Sequence, residues 1–344
     1  MATLIAAPNT DRAVTMTEGS TMKAIVQEGT GSADVLHLRE VERPALEDNR
    51  VLIRVRAASV NALDWHTVHG GLLLTVISKL MRQKDHPIRG ADLAGVVEAV
   101  GKDVTGLRPG DEVFGMGRGA FAEWSSSLDR GLVRKPAELS FPQAATIGVA
   151  ALTALQGVRD HGRVKPGQRV LVHGAGGGVG TYAVQIAKAL GAHVTAVTGP
   201  KNVDLVSALG PDVLIDYSRE DVTKRRDRFD VILDIAATRS VGSMRKLLVP
   251  NGQFVQVGAS KSGGWFGIFG RIIAIVVRSR LLKQRVLMYI ARTNQADLTY
   301  VGELMVAGKV RAVIDRTYQL AETAEAVRYL GTGEARAKVV ITVS

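Results

Sequence analysis

The 344-residue chain contains no cysteine. This absence excludes disulfide bonds, thiolate nucleophiles and cysteine-ligated zinc sites. Acidic residues are also in deficit, since 33 Asp and Glu face 44 Lys and Arg and leave a formal charge of +11. Such a surplus suits an anionic partner: nucleic acid, an acidic membrane or a phosphorylated ligand. Hydrophobic residues make up 46% of the chain, enough for two domains with separate cores.

Long apolar runs are absent as well. The most apolar stretch, residues 265–282, is interrupted by two glycines and three arginines and falls short of the ~20 apolar residues that a membrane span needs. Core packing with arginines at the surface is the simpler interpretation of this stretch, with a lid or a membrane-surface contact as alternatives. Residues 1–21 lack the pattern of a signal peptide and are interpreted as a disordered extension. We therefore expect a cytoplasmic protein without stable membrane insertion.

Two kinds of periodicity divide the chain. Residues 22–145 hold short β-branched runs between turn-forming clusters, which predicts an antiparallel or barrel-like β domain. Residues 146–309 alternate strand-like and helix-like segments, which predicts a parallel sheet covered by helices on both faces. Residues 310–344 end in the strand-like run "AKVVITVS" and are predicted to return to the β-rich domain and complete it.

A glycine-rich loop, "GAGGGVG" at 174–180, lies between the strand-like "RVLVH" and a helical pattern. Its spacing, Ala175-x-Gly177-x-x-Gly180, fits a dinucleotide site. Gly177 would let a pyrophosphate contact the backbone, and Gly180 would let the helix pack closely on the strand. A glycine turn used only for packing is the alternative, but the position between strand and helix favours a cofactor.

The end of the next strand indicates which dinucleotide binds. Sites for NAD usually place an acid there for the ribose 2′-hydroxyl. This chain instead has Thr198 and Lys201, with no acid before Asp204. A hydroxyl and a cation suit a 2′-phosphate, so NADPH is the predicted cofactor. Tyr217 is predicted to flank the phosphate or the adenine; a solvated lysine and an exposed tyrosine remain the alternatives.

A family resemblance extends over residues 22–344 with its motifs in family order. These motifs are "GADLAGVVEAVG", "GLRPGDEVFG", "AALTALQG", "VKPGQRVLVHGAGGGVG", "NGQFVQVG" and "EARAKVVITV". Together they resemble the zinc-free quinone oxidoreductase branch of the medium-chain dehydrogenase/reductase superfamily. The resemblance implies a GroES-like β-rich catalytic domain and a Rossmann domain with a doubly wound parallel sheet. It also implies NADPH in the cleft between them, a homodimer, and reduction of a quinone or of an α,β-unsaturated carbonyl.

Zinc-dependent relatives carry a Cys after the second strand and a Gly-His-Glu before the third. Here Asn61 stands in the Cys position, Ala91 in the His position and Asp92 in the Glu position. The pair His66 and His69 has no third ligand at metal spacing, so loop histidines are the simpler interpretation. The sequence therefore predicts no metal site.

The resemblance also implies a set of site residues. Asn61 and Asp64 are the predicted catalytic residues, with capping of their own loop as the alternative. The predicted cofactor-binding residues are Thr153, Ala175, Gly176, Gly177, Gly178, Val179, Gly180, Thr198, Lys201, Tyr217, Val257, Gly258 and Lys338. The sequence departs from the family at Gly148, where Pro is frequent, and at Ala337, where Gly often precedes the lysine.

Hydride transfer to such an acceptor depends on geometry and on donors for the developing oxyanion. Asn61, backbone amides and a ribose hydroxyl are the expected donors. A non-catalytic NADPH-binding regulator or scaffold is the alternative function. Nucleic-acid binding is not favoured, because no basic stripe with interleaved aromatics is present and the basic run 224–228 is short.

Overall fold

A computed structural model describes residues 21–70, 87–257 and 283–344. Fifteen strands occur in these ranges. They are β1 (Thr21–Gln27), β2 (Leu36–Glu42), β3 (Arg50–Val60), β4 (Asp92–Val100), β5 (Glu112–Met116), β6 (Trp124–Leu128), β7 (Leu132–Arg134), β8 (Arg169–His173), β9 (His193–Thr198), β10 (Val213–Asp216), β11 (Phe229–Asp234), β12 (Leu248–Gln256), β13 (Arg285–Met288), β14 (Ile314–Gln319) and β15 (Lys338–Thr342).

The α-helices of the described ranges lie mostly in the second half of the chain. They are α1 (Ala62–Val68), α2 (Phe141–Ala144), α3 (Leu152–Leu155), α4 (Gly178–Ala189), α5 (Val203–Ser207), α6 (Val241–Arg245), α7 (Gln295–Val306) and α8 (Thr323–Thr332). Two π-helical turns, Ile147–Ala151 and Gln156–His161, flank α3. No helix in these ranges is long and apolar enough to cross a membrane.

The β-rich part is built on a seven-stranded sheet. Its strand order is β14-β15-β3-β4-β5-β7, and β6 also pairs with β3. The last strand, β15, runs antiparallel to β3 and places Val339 opposite Val60. Because β3 and β4 are also antiparallel, the start of β15, the end of β3 and the start of β4 lie at one edge of the sheet. This edge carries the polar residues described below.

The second part is a six-stranded parallel sheet. Its order, β10-β9-β8-β11-β12-β13, is the strand order of a Rossmann fold. The central strands are buried on both faces, which explains their continuous apolar sequences. The fold class predicted from the sequence, a GroES-like β-rich domain with a doubly wound parallel sheet, is confirmed. The predicted disordered extension, residues 1–21, falls outside the described residues except for Thr21, which forms the first residue of β1 and so was placed wrongly. The predictions for the apolar stretch 265–282 and for Gly258 also lie outside the described residues.

A buried polar cluster fixes the π-helical turn Gln156–His161 against α7. The Asp297 carboxylate accepts hydrogen bonds from Gln156 Nε2 at 2.8 Å and from Arg159 Nη2 at 2.7 Å. Asn294 Nδ2 donates a third at 2.8 Å. Burial alone would raise the pKa of Asp297, but these hydrogen bonds outweigh it and hold the pKa below its usual range.

This cluster predicts the effect of Asp297→Asn. A carboxylate with a lowered pKa stabilises the fold above its unfolded-state pKa, and that stability is lost as pH falls through the folded-state pKa. We expect the variant to lower the free energy of unfolding by about 1–3 kcal/mol at neutral pH, and by less in acid. Urea unfolding at several pH values measures this, with the exposed Asp103→Asn as control. Equal stability of the wild type and Asp297→Asn at neutral pH would contradict the prediction.

Candidate functional site

The carboxyl edge of the parallel sheet gathers most of the predicted cofactor residues. The glycine loop follows β8, Thr198 ends β9, and Val257 comes directly after β12. In open α/β sheets, ligands bind at this edge where the strand order reverses, here between β8 and β11. The fold therefore brings residues from three separate segments to one location.

Within the glycine loop, Gly177 differs from its neighbours. It is exposed, and a Cβ built on it would approach only Gly174 O, at 3.9 Å. At Gly180, by contrast, a Cβ would lie 2.1 Å from Gly174 O, and at Gly176 it would lie 2.7 Å from Thr198 Oγ1. The loop therefore packs tightly on the protein at two glycines and presents bare backbone outward at Gly177.

Helix α4 begins directly behind this bare backbone. Its N-cap is Gly177, which offers no side-chain acceptor to the first turn. The first amides of a helix have no partner within the helix, and the helix dipole favours an anion beside them. Gly177 and the start of α4 together therefore form a surface suited to phosphate oxygens.

The residues predicted to recognise a 2′-phosphate lie beside this loop. Thr198 is buried, whereas Lys201 and Tyr217 are exposed, by 61% for the Lys201 side chain and 58% for Tyr217. The Lys201 ammonium forms an ion pair with Glu334, from the loop between α8 and β15. Close by, Arg336 Nε donates to Asn202 Oδ1 at 3.2 Å. Two cations therefore border the same location. Lys201 follows β9 of the parallel sheet, and Arg336 precedes β15 of the seven-stranded sheet.

Across from the glycine loop, a buried polar cluster occupies the shared edge of β15, β3 and β4. Lys338 Nζ donates to Asn61 Oδ1 at 2.6 Å, and Asn61 Nδ2 donates to Asp92 Oδ2 at 2.9 Å. Ser59 Oγ donates to the same carboxylate oxygen at 2.9 Å, and the Val149 amide donates to Asp92 Oδ1 at 2.7 Å. All five residues except Val149 are buried. The lysine compensates the buried charge of Asp92, 3.5 Å away.

Asp64 adds a second buried carboxyl next to this cluster. Its Oδ2 accepts the backbone N–H of Asn61 at 2.8 Å, at the start of α1. Burial raises the pKa of Asp64 to about 7, the Asn61 hydrogen bond opposes the shift, and the charge of Asp92 adds to it. A substantial fraction of this carboxyl is therefore protonated at neutral pH.

The residues aligned with zinc ligands of relatives are part of this cluster. Asn61 and Asp92 are bonded to each other, and Ala91 offers no side-chain donor atom. The nearby His66 and His69 contact the Trp65 ring, with His69 stacked on it at 4.1 Å between ring centroids. Within the part of the chain that the structure describes, no group of three or more His, Asp or Glu residues could hold a metal ion.

Two predicted cofactor residues have their polar groups engaged within the protein. Thr153 Oγ1 donates to Val149 O at 2.6 Å within its own helical segment, and the Thr153 carbonyl accepts from the Tyr289 hydroxyl. The Lys338 side chain is 2% exposed and is directed to Asn61 and Asp92. Lys201 and Lys338 thus contribute their charges at different depths, one at the surface and one in the interior.

Sequence reasoning missed several residues that the structure places at the site. By its position in the sequence Asp92 is only the counterpart of a metal-site glutamate, whereas in the structure it accepts three hydrogen bonds. Arg336 and Glu334 lie in the quoted motif "EARAKVVITV", and a cation two residues before Lys338 was the available signal. His173 and Asp234, at the ends of β8 and β11, form a buried pair at 2.7 Å. Nothing in the local sequence indicates that the last two residues meet.

Comparison with known proteins agrees with this architecture. Residues 47–137 match the family described as alcohol dehydrogenase GroES-like domain, and residues 209–341 match the family described as zinc-binding dehydrogenase. The 2-methylene-furan-3-one reductase of Solanum lycopersicum is 32% identical over 340 residues, which cover 94% of this chain and 79% of the relative. The chloroplastic quinone-oxidoreductase QR1 of Triphysaria versicolor is 29% identical over 340 residues, 94% of this chain and 99% of the relative.

A solved structure supports the same relationship. The quinone oxidoreductase from Coxiella burnetii superimposes with a TM-score of 0.83 at 32% identity, over 94% of this chain and 100% of that chain. The similarity in fold and in sequence thus extends over nearly the whole length of the chain, including the glycine loop. The chain is an oxidoreductase of the medium-chain dehydrogenase/reductase superfamily and belongs to its zinc-free quinone oxidoreductase branch.

Proposed function

We propose that the chain transfers hydride from NADPH to a quinone or an α,β-unsaturated carbonyl and that it does so without zinc. The observation that carries this proposal is the bare backbone at Gly177, which opens onto the first turn of α4 and lies opposite the Asn61 cluster. The names of the relatives, one a quinone-oxidoreductase and one a 2-methylene-furan-3-one reductase, are the reason that the proposal covers both acceptors.

The residues present fit a dinucleotide. The loop from Ala175 to Val179 would hold the pyrophosphate, and Gly180 lets α4 pack closely behind this loop. Thr198 would lie at the ribose and Val257 toward the nicotinamide, while the role predicted for Gly258 falls outside the described residues. When bound, the cofactor supplies the hydride. Thr153 contributes through its position beside the loop, because its hydroxyl is already bonded to Val149 O.

The buried cluster around Asn61 and the adjacent Asp64 supply a fixed amide and a proton source. The side-chain amide of Asn61 is oriented on both sides, since Oδ1 accepts from Lys338 and Nδ2 donates to Asp92 and, at 3.3 Å, to Ser59 O. We propose that Asn61 shapes the acceptor site in this fixed orientation. Asp64, with its pKa raised to about 7, is the proposed proton source for the enolate or hydroquinone oxygen.

The preference for NADPH rests on charge. Lys201 and Arg336 border the end of β9, the chain segment from Thr198 to Lys201 carries no acid, and Tyr217 lies against Gly199 beside them. Glu334 now pairs with Lys201, but both side chains are more than half exposed, so this pair is weak and a phosphate can replace it. A charge-assisted phosphate contact contributes ~1.5–3 kcal/mol.

A homodimer and a cytoplasmic location complete the proposal. Both follow from the sequence and the family resemblance. Size-exclusion chromatography with light scattering tests the first, and cell fractionation tests the second.

The proposed activity is tested directly by NADPH oxidation with a panel of quinones, enals and cyclic enones after exhaustive chelation. We expect turnover with at least one acceptor class and no change on chelation, because Asn61 and Ala91 replace the metal ligands. Loss of activity on chelation that zinc restores would contradict the zinc-free mechanism. Tight NADPH binding without turnover would instead support the non-catalytic regulator.

Gly177→Val is expected to abolish NADPH binding while the protein remains folded. The new side chain would enter open space and cover the backbone that the pyrophosphate contacts. Isothermal titration and thermal unfolding measure the two effects. Gly106→Val is the matched control, because a Cβ there also meets nothing closer than 3.6 Å and lies in another loop. Unchanged NADPH affinity would show that the glycine loop serves packing only.

Lys201→Ala is expected to weaken NADPH binding and leave NADH binding nearly unchanged, because NADH has no phosphate at this position. The wild type should prefer NADPH by roughly 10- to 100-fold. Fluorescence titration with both cofactors measures this, and the exposed Lys309→Ala controls for the loss of one positive charge. Equal binding of both cofactors by the wild type, or equal losses in the variant, would contradict the phosphate role.

A further inference from the structure

The segment Ala337–Lys338 lies between the two halves of the site and contacts both. We propose that Lys338 is a positioning residue that holds Asn61 and the glycine loop in register for hydride transfer, rather than a ligand of the cofactor phosphates. This inference rests on the proposed function and assigns Lys338 a task within it.

One end of the arrangement is the ammonium group. Lys338 Nζ lies 2.6 Å from Asn61 Oδ1, 3.5 Å from Val60 O and 3.5 Å from Asp92 Oδ2. With a side chain only 2% exposed, this ammonium has protein oxygens as partners and little access to a ligand in the cleft. Its charge is therefore used inside the protein.

These contacts determine which way the Asn61 amide faces. An ammonium can only donate, so the atom beside it must be the amide oxygen, and a carboxylate can only accept, so the atom beside Asp92 must be the amide nitrogen. Rotating the amide by half a turn would place its NH2 group against the Lys338 ammonium, donor against donor. It would also place its oxygen against the Asp92 carboxylate, acceptor against acceptor. Removing Lys338 frees the amide oxygen, while Asp92 and Ser59 O still hold the amide nitrogen.

The other end of the arrangement is the glycine loop. The Ala337 amide donates to Gly176 O at 3.0 Å, and Ala337 forms a β-bridge with Gly177. The lysine stem passes the start of α4, where a Cβ on Gly178 would lie 3.1 Å from Lys338 Cδ. Consecutive residues thus bind the pyrophosphate loop and the Asn61 amide.

Backbone strain marks the same segment. Ala337 has φ 62°, a left-handed conformation that glycine adopts freely and alanine does not. Such strain persists only where surrounding contacts determine the conformation, and it is concentrated at functional sites. Here the Gly176 and Asp92 contacts on either side hold the segment in place.

The test is Lys338→Met, which keeps the stem and removes the charged donor, with Lys188→Met on α4 as the matched control. Single-turnover mixing of the NADPH complex with a saturating acceptor gives a rate constant and an amplitude. We expect the rate constant for hydride transfer to fall by about 10- to 100-fold, as loss of a charged hydrogen bond and misplacement of the site predict. The Kd for NADPH should stay within about threefold, which corresponds to about 0.7 kcal/mol.

The amplitude separates a positioning role from a structural one. Partial unfolding would reduce the number of active molecules and thus the amplitude, leaving the rate constant of the remainder unchanged. If Lys338→Met itself is unstable because Asp92 loses its counter-charge, Lys338→Met/Asp92→Asn removes the uncompensated carboxylate. We expect that double variant to recover stability but not the rate constant.

A double-mutant cycle tests whether Lys338 acts through Asn61. If Lys338 acts through that amide, Lys338→Met/Asn61→Ala should transfer hydride no more slowly than the slower single variant, because the effects are not additive. An unchanged rate constant for hydride transfer in Lys338→Met would overturn the inference. If the Kd for NADPH were also weakened more than about tenfold, Lys338 would be a cofactor ligand instead. A wild type without turnover on any acceptor would contradict the proposed function instead.

Discussion

The buried carboxylate of Asp92 is the constraint on which the rest of the site depends. A fully buried charge is costly unless it is paired and hydrogen-bonded, and Asp92 meets this condition with partners from three segments of the chain. Ser59 and Asn61 end β3 and precede α1, Val149 lies in a π-helical turn, and Lys338 begins β15. To satisfy one carboxylate, the fold must bring β3, β4, the π-helical turn Ile147–Ala151 and the final strand β15 to one location.

The electrostatics of the cleft divide into an interior and a surface. In the interior, Lys338 is matched to Asp92, so its charge does not attract ligands from solution. At the surface, Lys201 and Arg336 have weak partners that an anion can displace. In the proposed function, the formal charge of +11 would contribute to phosphate recognition through two cations beside the glycine loop, the exposed Lys201 and the half-buried Arg336. The net value itself is a poor guide to the partner.

The sequence predicts the parallel sheet well, because strands such as β8 and β11 are continuous apolar runs and the glycine loop has fixed spacing. It predicts β6 poorly, since "WSSSL" resembles a turn and pairs as a strand only because β3 lies beside it. The depth of Lys338 was also beyond prediction, because lysine is ordinarily exposed and Asp92 is 246 positions away in the chain. The partner of Lys201 was missed for the same reason: Glu334 is 133 residues away.

The π-helical turns around α3 carry a consequence for insertions and deletions. A π-helical turn holds one residue more than an α-helical turn, and each residue advances a helix by about 100°. In Ile147–Ala151 that additional residue sets the direction in which the Val149 amide meets Asp92 and, further on, the direction in which Gln156 meets Asp297. Deleting a single residue here would regularise the helix locally and yet rotate Gln156 away from its partner. The length of this segment is therefore as restricted as its composition.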